Sequence, residues 1–218
     1  MNAINWRRWW PVTGILFVAF YIVGLALISS PDSGDTDAQI LAHYAKRSNR
    51  VDDFIAFFLI LGAVLLLIWF LALLRNRLAQ SEGTAGTLTS LATGAGLAAA
   101  ALWVVSDTLF AAPSAVTSET SKFHLDPNTY RLLNDIGYGI WFSGTTIMAI
   151  LVVATAILAR RTGLLPKWLV WLSYPVALTM LVAFFFIPFI IMLGWILVVS
   201  ITLIVRPSAE APQPAMAM

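Results

Sequence analysis

The chain has 218 residues, of which 60% are hydrophobic and 11% are charged, and its formal net charge is +2. A soluble domain carries about 25% charged residues, so this composition indicates a membrane protein and leaves no room for a separate soluble domain of useful size. Cysteine is absent, which excludes disulfides, thiolate metal sites and cysteine nucleophiles. We expect one polytopic membrane domain over residues 1–206.

Basic and aromatic residues precede the first apolar segment. Arg7 and Arg8 resemble the start of a signal peptide, but the apolar stretch that follows is longer than the roughly 7–15 residues of a signal-peptide core. Trp6, Trp9 and Trp10 are typical of an aromatic anchor at a membrane interface. We therefore expect an uncleaved first span.

Six segments are apolar and long enough to cross a lipid core, which takes about 20 residues per helix. They cover residues 10–29, 53–74, 88–112, 132–158, 168–186 and 188–205. The last two are not separated by polar residues, but one helix over residues 164–205 would be about 63 Å long, twice the hydrocarbon thickness. We expect a turn near residues 184–189, with Pro188 in the first turn of the last helix. A five-span protein with a re-entrant pair is the alternative.

The distribution of lysine and arginine predicts the orientation. With the N-terminus in the cytoplasm, the inner side holds Arg7, Arg8, Arg75, Arg77, Arg160, Arg161, Lys167 and Arg206, against Lys46, Arg47, Arg50, Lys122 and Arg131 outside. Only two acidic residues, Glu82 and Glu210, fall inside. The prediction is an all-α integral membrane protein, a six-helix bundle with both termini inside. Residues 207–218 are predicted to be a disordered cytoplasmic tail.

Capping signals mark the helices near the outer loops. Thr36 with Gln39 forms a capping-box pattern before apolar residues at helical spacing, which predicts a short amphipathic helix on the outer surface. Asp126-Pro127 predicts the start of the fourth spanning helix before it enters lipid, with a length above 30 residues. Asp52 and Asp53 are interpreted as caps of the second span.

Polar and aromatic residues gather near the outer ends of the third and fourth spans. Intramembrane ionisable residues are functional-site candidates because burying them is costly. Helical spacing puts Trp103 and Asp107 on one face of the third span. It puts Arg131, Asn134, Asp135, Tyr138 and Trp141 on one face of the fourth. If these faces meet, both aspartates line a cup open to the outside, and these seven residues are the ligand-binding candidates.

A purely structural interpretation of the same residues stays open. Both aspartates lie near the interface, where burial costs less, and Arg131 with Asp135 can form an i,i+4 ion pair. His43 and His124 are interpreted as solvated loop residues. The sequence has no metal-ligand motif and no catalytic constellation, so we expect no cofactor, no metal, no enzymatic activity and no nucleic-acid partner.

Small residues recur every four positions along the third span, at Gly86, Ser90, Gly94 and Ala98. This pattern lets helices approach closely in lipid. We expect it to mediate packing within the bundle, and the alternative is a homo-oligomer through the same face.

The connector RTGLLPKWLVWL, residues 161–172, resembles the "RTGxLPRWLGWL" connector of a family of uncharacterised bacterial multi-pass membrane proteins. The runs LLNDIGY, AQILAHY and WILVVS are also similar to that family, so the resemblance covers most of the chain. Val170 stands where the family usually has glycine. The resemblance implies a multi-pass protein of the bacterial cell membrane and carries no established activity.

Three functions are compatible with this pattern. The first is a small non-enzymatic bundle whose cup binds a small molecule, a lipid headgroup or a membrane protein partner. The second is a secondary transporter, which would place charges or broken helices near the midplane. The third is a membrane-embedded lipid-modifying enzyme that uses the two aspartates as acid and base or as ligands of a divalent cation.

Overall fold

The computed structural model describes residues 10–82, 86–120 and 122–206. Within these ranges the protein is all-helical, without strands, as the composition predicted. The helices are α1 Val12–Leu27, α2 Asp37–Ala45, α3 Arg47–Glu82, α4 Thr87–Glu119, α5 Pro127–Thr162, α6 Lys167–Met180 and α7 Ile187–Val205, with a short 3-10 helix Ala183–Phe185 between the last two. The predictions for Trp6, Trp9 and the tail 207–218 fall outside the described residues.

Among the described residues, four helices are long and apolar enough to cross a membrane, namely α3, α4, α5 and α7. They support the membrane class. Helix α1 is apolar but has 16 residues, and α6 has 14 residues. At 1.5 Å per residue these two helices are about 24 and 21 Å long, shorter than the hydrocarbon core.

Both predicted capping signals are confirmed. Thr36 and Gln39 form the reciprocal capping box of α2, and the Asp126 carboxylate accepts the Thr129 amide hydrogen (2.9 Å) at the start of α5. The apolar residues Ile40 and Tyr44 of α2 are buried against the protein, however. Tyr44 packs against Tyr130 of α5, so α2 is docked on the protein.

Helix α3 begins at Arg47, six residues before the predicted start of the second span. The short break before it is held by side chains, since Asn49 Nδ2 donates to the His43 carbonyl (3.2 Å) and Arg50 donates to the Tyr44 carbonyl. Asp53 therefore lies inside the helix. The interpretation of Asp52 and Asp53 as helix caps is wrong.

The break between α6 and α7 falls at residues 181–186, slightly before the predicted turn. Phe186 has a positive φ of 63°, and Pro188 lies in the first turn of α7. Buried backbone groups that are freed by a break between helices need other hydrogen-bond partners. Tyr138 Oη donates to the Phe184 carbonyl, and Thr146 Oγ1 donates to the last carbonyl of α6 (3.2 Å).

Helix α4 makes its close contacts through a face other than the predicted ladder. A Cβ added at Gly144 of α5 would lie 2.9 Å from the Trp103 ring of α4, and one added at Gly96 would lie 2.7 Å from Leu71 of α3. A Cβ added at Gly94 would meet nothing within 4 Å. The ladder Gly86, Ser90, Gly94 and Ala98 thus does not mediate packing within the bundle, and its role in a homo-oligomer stays a prediction.

Candidate functional site

A cavity of about 350 Å³ lies at one end of the bundle, where α1, α3, α4 and α5 converge. This is the end that the sequence places outside. Tyr21 of α1, Asp53 of α3, Asp107 of α4 and Asn134 of α5 all line it. Residues 28–36, which connect α1 to α2, cross this end of the bundle, and we call them the outer strap. Ser30, Pro31 and Asp32 of the strap contribute to the lining.

Five of the seven predicted site residues line this cavity, namely Trp103, Asp107, Asn134, Tyr138 and Trp141. The other two, Arg131 and Asp135, do not. Asn134, Tyr138 and Trp141 follow i, i+4, i+7 spacing and share one face of α5. Asp135 lies about 100° around the helix from Asn134, and Arg131 lies nearly one turn further toward the start of α5, where both side chains bond to Ser33 instead. The structure therefore does not bring Asp107 and Asp135 together in one cup.

Arg131 fastens the outer strap to α5. Its Nε donates to the Ser33 carbonyl (3.0 Å), and its Nη2 donates to the Asp35 carbonyl (2.8 Å). The same Nη2 lies 2.7 Å from Asp37 Oδ1 in an ion pair. These contacts replace the predicted ion pair between Arg131 and Asp135.

Ser33 is the second point of attachment. Its hydroxyl donates to Asp135 Oδ1 (2.7 Å) and accepts from Asn134 Nδ2 (2.8 Å). Tyr130 Oη donates to the Pro31 carbonyl nearby. Asp135 thus holds the strap over the cavity from outside.

Asp107 is buried without a hydrogen bond. Its residue exposure is 9%, and its Oδ2 is fully enclosed with no hydrogen-bond partner among the described residues. Burying a polar group without a partner costs about 1–3 kcal/mol, and more for a charge. No described residue donates to Oδ2, so a donor to this oxygen must come from whatever fills the cavity.

Aromatic rings form a large part of the cavity wall, among them Tyr21, Trp103, Phe110, Tyr138, Trp141 and Phe186. The indole N–H groups are used within the wall. Trp103 Nε1 donates to the Trp141 carbonyl, and Trp141 Nε1 donates to Tyr21 Oη, both at 3.3 Å. Trp141 also stacks on Phe186 with ring centroids 5.6 Å apart. The rings are thereby fixed in place.

The second buried carboxylate, Asp53, is fully partnered. It accepts from Ser114 Oγ (2.6 Å) and Ser30 Oγ (3.2 Å), and His43 Nε2 lies 3.5 Å from its Oδ2. Asn49 Nδ2 donates to His43 Nδ1 (3.1 Å), so Nε2 carries the hydrogen that faces Asp53. Both serines bond to the carboxylate rather than to the imidazole, so the order of a serine-histidine-aspartate triad is not present.

Sequence reasoning missed this network. The His43 side chain is only 9% exposed, so its interpretation as a solvated residue is wrong, whereas His124 is exposed as predicted. A signal was present, since Asp53, Ala56 and Ile60 have the i, i+3, i+7 spacing of a buried helix face.

Tyr44 brings a further polar group to the cavity. Burial, with Tyr130 and Asp53 nearby, raises the pKa of its hydroxyl, which therefore stays protonated. The hydroxyl lies beside Ser30 and Tyr130, yet it makes no hydrogen bond of ordinary geometry within the described ranges.

The described residues contain no group of three or more histidine, cysteine, aspartate or glutamate side chains that could hold a metal ion. Comparison with protein-family models, with curated proteins and with solved structures gives no match to this chain. The fold and the cavity alone thus define the class: a helical protein whose long helices are apolar enough to cross a membrane, with a carboxylate-bearing aromatic cavity at one end.

Proposed function

We propose that this is a six-span protein of the bacterial cell membrane, with both termini in the cytoplasm, that binds a small molecule in its outer cavity. It acts as a binding protein rather than an enzyme. The bacterial assignment rests on the resemblance of the connector at residues 161–172, and the orientation rests on the sorting of basic residues.

The first short helix runs beside a long one, which supports its crossing. Gly14 near the start of α1 lies against Phe70 of α3, with 2.8 Å from an added Cβ to the ring. Gly24 near its end lies against Ile60, at 2.7 Å. Helix α1 therefore follows α3 in the opposite direction through the same depth of the membrane, and local thinning of the bilayer accommodates its length.

The second short helix follows α5 in the same way. The Arg160 guanidinium lies 5.4 Å from the centre of the Trp171 ring, near the inner ends of both helices. Thr146, about 21 Å further along α5, bonds to the last carbonyl of α6. Helix α6 and the turn at residues 181–186 thus reach the level of the cavity wall before α7 returns.

The observation that carries the binding proposal is the unpartnered carboxylate of Asp107 inside a cavity of about 350 Å³. Ligand pockets are concave, mostly apolar, and carry a few polar groups that fix the orientation of the ligand. The aromatic wall provides the apolar surface, and Asp107 provides the polar group. Asp135 lies outside the cavity, so the two-aspartate chemistry of a lipid-modifying enzyme loses one of its carboxylates.

Filling the cavity tests this proposal. Ala111 lines the cavity, and the adjacent Ala112 does not. We expect a chemically diverse panel of small molecules to include compounds that raise the thermal unfolding midpoint of the purified wild-type protein. The same compounds should stabilise Ala112→Trp and have no effect on Ala111→Trp. The proposal is wrong if no compound stabilises the wild type, or if the stabilisation survives in Ala111→Trp.

A further inference from the structure

We infer that the ligand of this cavity is an organic cation: a protonated amine with an apolar body, whose ammonium group donates hydrogen bonds to Asp107. This inference rests on the proposed function, because it names the chemical class that the binding protein takes.

The charges around the cavity favour a cation. Three carboxylates line it, those of Asp32, Asp53 and Asp107, and none of its described lining residues is a lysine or an arginine. The Asp53 carboxylate is already matched by two serines and His43. The guanidinium of Arg131 is directed to the outer strap and Asp37. Asp32 is exposed, so Asp107 is the buried carboxylate left to pair with a ligand.

The aromatic residues of the cavity wall also favour a cation. The face of an aromatic ring carries negative charge density and attracts ammonium groups, most strongly for tryptophan. Trp103 and Trp141 line the cavity with their N–H groups occupied elsewhere. An anion would meet the Asp107 carboxylate in a largely apolar cavity, and the carboxylate would repel it. A neutral hydroxyl can bond to Asp107 but gains little from the rings.

The volume limits the size of the ligand. A cavity of about 150 Å³ holds one benzene molecule. The present cavity, at about 350 Å³, has room for roughly twice that, or about 10–15 non-hydrogen atoms. A primary ammonium on a phenylalkyl chain meets both the size and the shape of this space.

A matched pair of ligands tests the inference. 4-Phenylbutylammonium and 4-phenylbutan-1-ol have the same size and differ in charge, and isothermal titration at pH 7 in lipid nanodiscs measures both. We expect the wild-type protein to bind the ammonium at least ~10-fold more tightly than the alcohol. Asp107→Asn should bind the two about equally, by weakening the ammonium alone. The matched control Asp52→Asn, at an exposed residue outside the cavity, should keep the wild-type preference.

The outcomes separate this inference from the proposal beneath it. Equal binding of both compounds by the wild type, lost in Ala111→Trp, overturns the cation class and leaves the cavity as a binding site. Absence of binding by both compounds overturns the cation class, and the wider panel then decides the binding function. A preference for the ammonium that persists in a folded Asp107→Asn protein also overturns the inference. The wild-type comparison stands even if that variant does not fold.

Discussion

Asp53 and Asp107 are both buried carboxylates near the outer end of the bundle, and their surroundings are opposite. Asp53 is surrounded by hydroxyl and imidazole donors, whereas Asp107 has none among the described residues. Removing one partner from a satisfied buried network leaves the other groups unpaired. Asp53 therefore stabilises the fold, whereas the Asp107 carboxylate is available to bind a ligand.

This contrast predicts opposite effects of the same substitution. Asp53→Asn should lower the free energy of unfolding by about 1–3 kcal/mol, because an amide cannot accept from Ser114, Ser30 and His43 at once. Asp107→Asn should change it by less than about 0.5 kcal/mol or stabilise the protein, since binding residues are often unfavourable for stability. Denaturation by SDS in mixed micelles measures both. Equal destabilisation by the two variants would contradict the contrast.

At the scale of single residues, the sequence predicted the aromatic residues that line the cavity better than the polar ones. Trp103, Tyr138 and Trp141 were found because helical spacing alone places them on facing stripes. Asp53 was missed because the start of α3 depends on bonds from Asn49 and Arg50 to the end of α2, which no local pattern reveals.

At the scale of elements, the start of α4 is capped by a side chain at the end of α3. Glu82, at the end of α3, accepts the amide hydrogens of Leu88 and Thr89 at the start of α4, both at 2.7 Å. Free amides at a helix N-terminus favour a negative charge. Desolvation alone would raise the pKa of Glu82, but these hydrogen bonds, with Arg161 nearby, outweigh it and lower the pKa.

The lowered pKa predicts how stability depends on pH. Because the folded pKa of Glu82 lies below its ordinary value of 4.5, its contribution is complete above pH 4.5 and is lost as the pH falls through the folded value. Glu82→Gln should lower the thermal unfolding midpoint by a few degrees at pH 7. The difference from wild type should shrink below pH 4.5. A difference that does not change with pH would show that the charge is not responsible.

Helix boundaries and helix contacts differ in how well local sequence patterns predict them. The starts of α2 and α5 were predicted because Thr36 and Asp126 carry their own capping chemistry. The sequence could not predict which small residues of α4 pack against a neighbouring helix. Gly94 and Gly96 are equally small, and only the tertiary packing of Gly96 against Leu71 distinguishes them.

At the scale of the whole molecule, the composition predicted an all-helical membrane protein, and the four long helices agree with it. The number of membrane crossings does not follow from composition alone. It depends on two helices of 16 and 14 residues, whose placement follows from their contacts with α3 and α5 rather than from their own hydropathy.

The absence of cysteine from the chain gives a direct test of the topology. Gly34 of the outer strap and Gln80 near the inner end of α3 are both exposed, and a side chain added at Gly34 meets nothing within 4 Å. In intact cells, a membrane-impermeant maleimide should label Gly34→Cys. It should label Gln80→Cys only after the membrane is permeabilised. Labelling of both variants in intact cells would refute the proposed orientation.

The outer strap has a consequence for selectivity in concentrated salt. It is tied to α3 through Ser30 and Asp53, and to α5 through Ser33 and Arg131, so it is held beside the cavity at two points. Charges enclosed in this way are screened far less by dissolved ions than surface charges are. A ligand bound beneath the outer strap would keep its preference for charge at high salt concentration. Its residence time would depend on how fast the strap opens rather than on the ionic strength of the solution.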